Sequence, residues 1–383
     1  MRVSLSPMAD ARAKDAGGLA HVAPLALLCA GLLACGGPTA PSADGGSVPP
    51  SDAGSVLADA GAYDGAWGVP YDAGPDSGVA PEASEPTVLA AGLGSPAGIV
   101  VSGGTVYAAD SATGEIVAIP AGGEARVLAS GLGDPRWLAT DGTTLFATDA
   151  AGGRLLAVAL DGGVSVLAPG QDQPGRVVVS AGTVFWIDQG SENGTGRVMS
   201  IPAPGGDPTT LASGLQTPHD LAVIGSSVYF TELGPPPNCS TGQWAGGARI
   251  ASVPVDGGSP QSVYASETAE VGRVVGLASD GSGRRLALTT QDLCWPKGGW
   301  VYLLDLQTRQ TTPLSQAPPN SDRVDADSED VVWASQQLIS EVPVAGGPYV
   351  NLVSESAVFD FVFQGGVLYW TDPVAGEVLS KEP

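Results

Sequence analysis

The stretch WLATDGTTLFATD, Trp137 to Asp149, followed by GRLLAVALDGGVSVL, Gly153 to Leu167, decides the fold. It reads as a strand, a Gly turn, a strand ending in an acid, a second Gly turn, a third strand, a Gly-Gly turn and a fourth strand. Sister copies run from Gly98 to Asp110 with Gly114 to Leu128, and from Arg176 to Leu211. Aromatic anchors fall at Tyr107, Phe146 and Phe185, 39 residues apart each time, and at Tyr229 after 44 more. Later copies are weaker, with Leu286 and Val332 in the anchor position before Tyr369 restores it. A four-stranded unit repeating about every 40 residues is a propeller blade. Seven units predict an all-β, seven-bladed β-propeller, with six blades as the alternative if one weak copy is false.

The last unit runs out after Glu377 to Ser380, one strand short. Thr87 to Leu93 matches the fourth-strand pattern Val127 to Leu132, and is expected to complete the final blade and remove an open sheet edge. The domain reading is 1–35 as an export segment, 36–86 as a linker and 87–383 as the propeller.

Tyr369-Trp370-Thr371-Asp372 is literally YWTD, and Phe185-Trp186-Ile187-Asp188 is close to it. Over about three quarters of its length the chain resembles propellers of the YWTD and NHL type. That resemblance implies a binding scaffold in most cases, with lactonases and lyases among the relatives. It also implies aromatics packed between blades, and structural acids at Asp110, Asp149, Asp188, Glu232 and Asp372 that accept backbone hydrogen bonds in turns.

Gly 55 and Pro 32 in a chain only 15% charged agree with many short strands and tight turns. A formal net charge of -24 argues against nucleic acid as a partner. Arg2, Arg12 and Lys14 precede an apolar run from Val22 to Leu33 that is too short to span a bilayer. The run ends Leu33-Ala34-Cys35, which resembles a bacterial lipobox and implies lipidation of Cys35; an ordinary secretory signal cleaved near Ala34 is the alternative. The expected address is the cell envelope, by lipid anchor, or otherwise secretion. Residues 36–86 are rich in Ala, Gly, Pro, Ser and Asp, with Asp-Ala-Gly at Asp52, Asp59 and Asp72, and read as an acidic tether.

The first strand of each blade lines a propeller's channel. Aligning the seven copies puts Gly98, Trp137, Arg176, Asp220, Arg273, Arg323 and Asp360 in equivalent positions, with Arg136, His219 and Asp322 one residue earlier. Guanidinium groups around a mouth suit a carboxylate, sulfate or phosphate, with Trp137 and His219 as a stacking wall. Pairing of those arginines with Asp220, Asp322 and Asp360 is the structural alternative. Two longer insertions, Gly234 to Gly247 and Asp292 to Gly299, carry Trp244 and Trp295 and the cysteines Cys239 and Cys294, a candidate disulfide. His219 is the only histidine after the export segment, so a multi-histidine metal site cannot be built and no metal or other cofactor is expected. The functional expectation is a non-enzymatic binding module for an anionic small molecule, a glycan or an envelope protein. The alternative is a lactonase- or lyase-like enzyme using His219 and Asp220, with or without a divalent metal.

Overall fold

The computed structural model describes residues 85–234, 248–265, 273–291, 299–318, 320–354 and 356–382. They form seven four-stranded antiparallel sheets, and no helix occurs among them. The chain is a seven-bladed β-propeller. Blades 1 to 7 open with the strands Pro96–Ser102, Pro135–Thr140, Pro174–Ser180, Pro218–Ile224, Arg273–Ser279, Arg323–Ala326 and Phe361–Gln364. Four of these begin with proline, which costs no ladder hydrogen bond at a strand's first residue. In the seventh sheet the order is Thr87–Ala90, Glu377–Lys381, Val367–Asp372, Phe361–Gln364, with Thr87 opposite Ser380 and Val88 opposite Leu379.

The core lies between the blades rather than at one centre. Seven apolar clusters occur among the described residues, one at each seam. Tyr107 packs with Leu138 and Leu145 between blades 1 and 2, Phe146 with Trp186 between blades 2 and 3, and Phe185 with Leu221 and Phe230 between blades 3 and 4. Trp186, Trp333 and Trp370 are fully buried. A sheet alone buries one face poorly, so stacking each blade on the next supplies the apolar burial that holds the ring.

In blades 1 to 4 and 7 the recurring acid ties the two inner strands together at one end. Asp110 accepts hydrogen bonds from the N–H groups of Gly94 (2.7 Å) and Ser95 (2.9 Å) before the first strand, and from Ala112 (3.2 Å) after the second. Asp149 does the same with Gly133, Asp134 and Gly152, and adds Arg154. Burial alone would raise the Asp149 carboxyl, but Arg154 and those three N–H groups hold it below the usual carboxylate range. A folded-state value below the unfolded one stabilises the fold above the unfolded pKa, and that contribution is lost as pH falls through the folded value. Asp149→Asn is therefore expected to cost about 1–3 kcal/mol at neutral pH. The deficit should shrink in acid, where the parent carboxylate is protonated too. Urea denaturation across pH checks this, and a deficit that does not change with pH would assign the loss to shape instead of charge.

In blade 5 the marks of the repeat are gone, and the structure corrects two assignments there. Ala278 pairs with Ala287 as Val362 pairs with Tyr369, so Ala287, not Leu286, holds the anchor position. The Gly276 N–H donates to Thr289 Oγ1 (3.1 Å) as the Asp360 N–H donates to Thr371 Oγ1 (3.3 Å). Gly276, not Arg273, is therefore the channel residue of blade 5. Thr290 and Ser335 stand where blades 1 to 4 and 7 carry the acid, so two turns of the ring lack the carboxylate clamp.

Candidate functional site

With that register, the channel ring runs Gly98, Trp137, Arg176, Asp220, Gly276, Arg323, Asp360. The two glycines are set by close approach: a Cβ on Gly98 would lie 2.4 Å from the Arg136 carbonyl oxygen, and one on Gly276 2.4 Å from Thr289 Oγ1. The four charged members form a quartet across the channel. Arg323 donates from Nε to Asp360 Oδ1 (2.8 Å), with Nη2 2.5 Å from the same oxygen and Nη1 3.7 Å from Asp220 Oδ2. Arg176 Nε lies 3.5 Å from Asp220 Oδ1 and its Nη1 3.7 Å from Asp360 Oδ1. Burial and the like charge of Arg323 pull the Arg176 guanidinium below its ordinary value, against Asp360 and Asp220. Burial works against the Arg323 charge as well, but Asp360 and Asp220 outweigh it and raise that guanidinium.

Each aspartate of the quartet also clasps the next blade. Asp220 accepts from the Leu277 N–H of blade 5 (3.0 Å) and Asp360 from the Ile99 N–H of blade 1 (3.2 Å). Two cations, two anions and several backbone donors thus make a neutral plug, in which the buried Arg176 Nε alone has no hydrogen-bond partner.

Trp137 lies against this plug. The guanidinium carbons of Arg176 and Arg323 are each 5.1 Å from its ring centroid, and Phe359 is tilted against it at 5.2 Å. The indole is held by two cations and an aromatic edge, a geometry that fixes its plane. Trp137, Phe359 and Arg323 line a cavity of 580 Å³ together with Arg136, His219 and Asp322. Gln173, Gln189 and Gln336 also line it, and their side-chain amides make no hydrogen bond with the protein among the described residues. Gln173 has a left-handed backbone (φ 53), a conformation that costs a non-glycine residue about 1 kcal/mol or more. Its carbonyl is held by the Gln189 N–H at 3.1 Å.

His219 Nδ1 lies 3.2 Å from the Val275 carbonyl oxygen. A carbonyl can only accept, so Nδ1 carries the proton and Nε2 of the neutral ring is an acceptor. Asp220, adjacent in sequence, is turned away into the quartet, where its oxygens accept from Leu221 and Leu277. The acid that senses His219 is Asp322: burial among the cavity walls raises its carboxyl, tempered by the charges of His219 and Arg323. Arg136 is paired with Asp134 (2.8 Å). Arg273 stands apart from the cavity and donates from Nη2 to the Gly234 carbonyl (2.8 Å). Among the described residues no cluster of three or more His, Cys, Asp or Glu side chains is arranged to hold a metal ion. Cys35, Cys239, Cys294, Trp244 and Trp295 lie outside the described residues.

The structure thus gathers Arg136, Trp137, His219 and Arg323 in one cavity, places Arg176 and Asp220 in the plug, and leaves Arg273 elsewhere. Sequence alignment missed Phe359 and the glutamines. The glutamines sit in loops of unequal length, and no periodic signal marks them.

No model of a known protein family matches the chain, and no curated protein matches it. Among solved structures it is similar to virginiamycin B lyase from Staphylococcus aureus (TM-score 0.61, 14% identity, 78% of this chain and 98% of that one). It is similar also to hydrazine synthase of Kuenenia stuttgartiensis (TM-score 0.61, 11% identity, 76% and 96%). A gluconolactonase from Xanthomonas campestris is a third (TM-score 0.50, 16% identity, 80% and 99%). At these identities the likeness shows the propeller fold alone, since one fold carries many functions.

Proposed function

We propose that this propeller is a non-enzymatic binding module whose channel-mouth cavity recognises a glycan. One observation carries the reading: the cavity is built on an indole whose two supporting guanidinium groups are already neutralised by Asp220 and Asp360. An anionic ligand would have to compete with those carboxylates, and would approach a chain of net charge -24. A neutral sugar has neither obstacle. Its apolar C–H face stacks on Trp137, and its hydroxyls meet amides that can both donate and accept at Gln173, Gln189 and Gln336. Calorimetric titration with neutral, sulfated and uronic glycans and with anionic metabolites tests this. Binding of neutral glycans, abolished in Trp137→Ala, supports it; binding confined to anions overturns it.

A second reading follows from His219 and Asp322, which face the same cavity with Nε2 free to accept a proton. In that case the site has a lactonase- or lyase-type activity, the two classes that the names of two structural neighbours give for those proteins. Turnover of such substrates, lost in His219→Ala but kept in Trp137→Phe, would favour catalysis over binding.

The proposal includes the address. The propeller is exported and held at the cell envelope, on the outer membrane or cell surface, through lipid on Cys35, with residues 36–86 as a tether. Labelled palmitate is expected to enter the parent chain and not Cys35→Ser, and equal labelling of both would remove the anchor.

A further inference from the structure

Resting on the glycan reading above, we infer that the ligand is an oligosaccharide that leaves the channel mouth over blade 7, with Gln337 and Val374 holding its outer units. A second cavity of 630 Å³ adjoins the first and shares Gln336 and Val358 with it. Each is by itself within the size range of about 300–1,000 Å³ typical of ligand pockets, so the pair takes more than one sugar unit. The chemistry of the outer cavity differs from that of the inner one. Its walls are Ala357, Val358, Pro373, Val374 and Ala375, and its polar side chains are Gln336, Gln337 and Asp372.

Asp372 has no oxygen to spare for a ligand. Its Oδ1 accepts from the N–H groups of Val374 (2.9 Å) and Ala375 (2.8 Å), and its Oδ2 from Ser356 Oγ (2.8 Å) and the Ala357 N–H (3.1 Å). That leaves two amides and an apolar wall, a lining without free charge that suits alternate hydroxyl and C–H faces of a neutral sugar chain. The equivalent turn position, two residues past the acid, holds Ala112, Ala151 and Gly190 in blades 1 to 3. In blade 7 it holds Val374, which is 85% exposed. A branched apolar side chain therefore stands at the rim of this cavity where those blades have a methyl group or none. An extended peptide would fit less well: peptides of that kind commonly add a strand to an open sheet edge, and both cavities are lined largely by loop and turn residues.

The test is calorimetric titration of the whole chain with cello-, xylo-, malto- and chito-oligosaccharides of one to six units. For the series that binds, affinity is expected to rise about tenfold between two and four units and then level off. The double variant Gln337→Ala with Val374→Asp should lose that rise while keeping the parent's affinity for the mono- and disaccharide. Both positions are exposed, so an unchanged Tm is expected and confirms folding. Affinity independent of length, or an equal loss for short and long sugars in the variant, overturns the inference while leaving the glycan reading in place. If no neutral series binds the parent, or only peptides do, the glycan reading falls and the extended subsite falls with it.

Discussion

Replacing Arg323 by alanine is expected to destabilise the propeller by about 3–5 kcal/mol, the cost of taking from two buried carboxylates a hydrogen-bonded cation that the more distant Arg176 does not replace. Asp360 would lose its hydrogen bond at 2.8 Å and its contact at 2.5 Å, and Asp220 one of its two cationic neighbours. Both carboxylates are almost wholly buried, so water cannot replace the guanidinium without opening the channel. For a domain of this size the change corresponds to a fall in Tm on the order of 10 °C. Asp360→Asn should destabilise too, because Ile99 donates to Oδ2 while Phe361 and Arg323 donate to Oδ1, so the one amide oxygen can serve only one of those places and the amide NH2 meets a donor at the other. Replacing both Arg323 and Asp360 by leucine is not expected to rescue the fold as it does for some buried ion pairs, because those two backbone donors would be orphaned. If Arg323→Ala melts within 2 °C of the parent, the quartet is solvated and its neutrality does not constrain the ligand.

Trp137→Ala is expected to weaken binding of a neutral oligosaccharide by at least about 2 kcal/mol, roughly thirtyfold in Kd, as for a buried aromatic hot spot. The indole supplies the one flat surface fixed in plane by Arg176, Arg323 and Phe359. Stability should fall as well, since each cation–π contact contributes about 0.5–2 kcal/mol. Trp137→Phe separates the two effects by keeping an aromatic face over the guanidinium groups. The phenyl variant should recover most of the stability and part of the affinity. Full affinity in folded Trp137→Ala would place the recognition surface elsewhere, and a loss explained entirely by unfolding would leave Trp137 structural.

Much of the fold was legible because each blade repeats a local solution to the same problem. Tyr107, Phe146, Phe185, Tyr229 and Tyr369 mark the strand that packs at a seam, and Asp110, Asp149, Asp188, Glu232 and Asp372 mark the turn after it. Both marks vanish in blades 5 and 6, and in blade 5 the alignment slipped. In blade 5 the anchor is Ala287 and the acid is replaced by Thr290, so Arg273 was placed in the ring three residues early. The hydrogen bond of the Gly276 N–H to Thr289 Oγ1, which sets the register, leaves no trace in residue type.

The sequence by itself determined the repeat, the turn acids, and the presence of arginines, a tryptophan and a histidine on the first strands of the blades, and it narrowed the ring to seven blades or six. Those features depend on contacts within a blade, where strand period and turn chemistry are written into neighbouring residues. Only the tertiary structure decided that Arg176 and Arg323 would be neutralised by Asp220 and Asp360, that His219 would share a cavity with Asp322 while Asp220 turns into the quartet, and that loose glutamines would line that cavity with Trp137. These contacts join blades 2, 3, 4, 6 and 7 across the channel. Their partners are set by the closure of the ring, a global constraint to which no local pattern of residues corresponds.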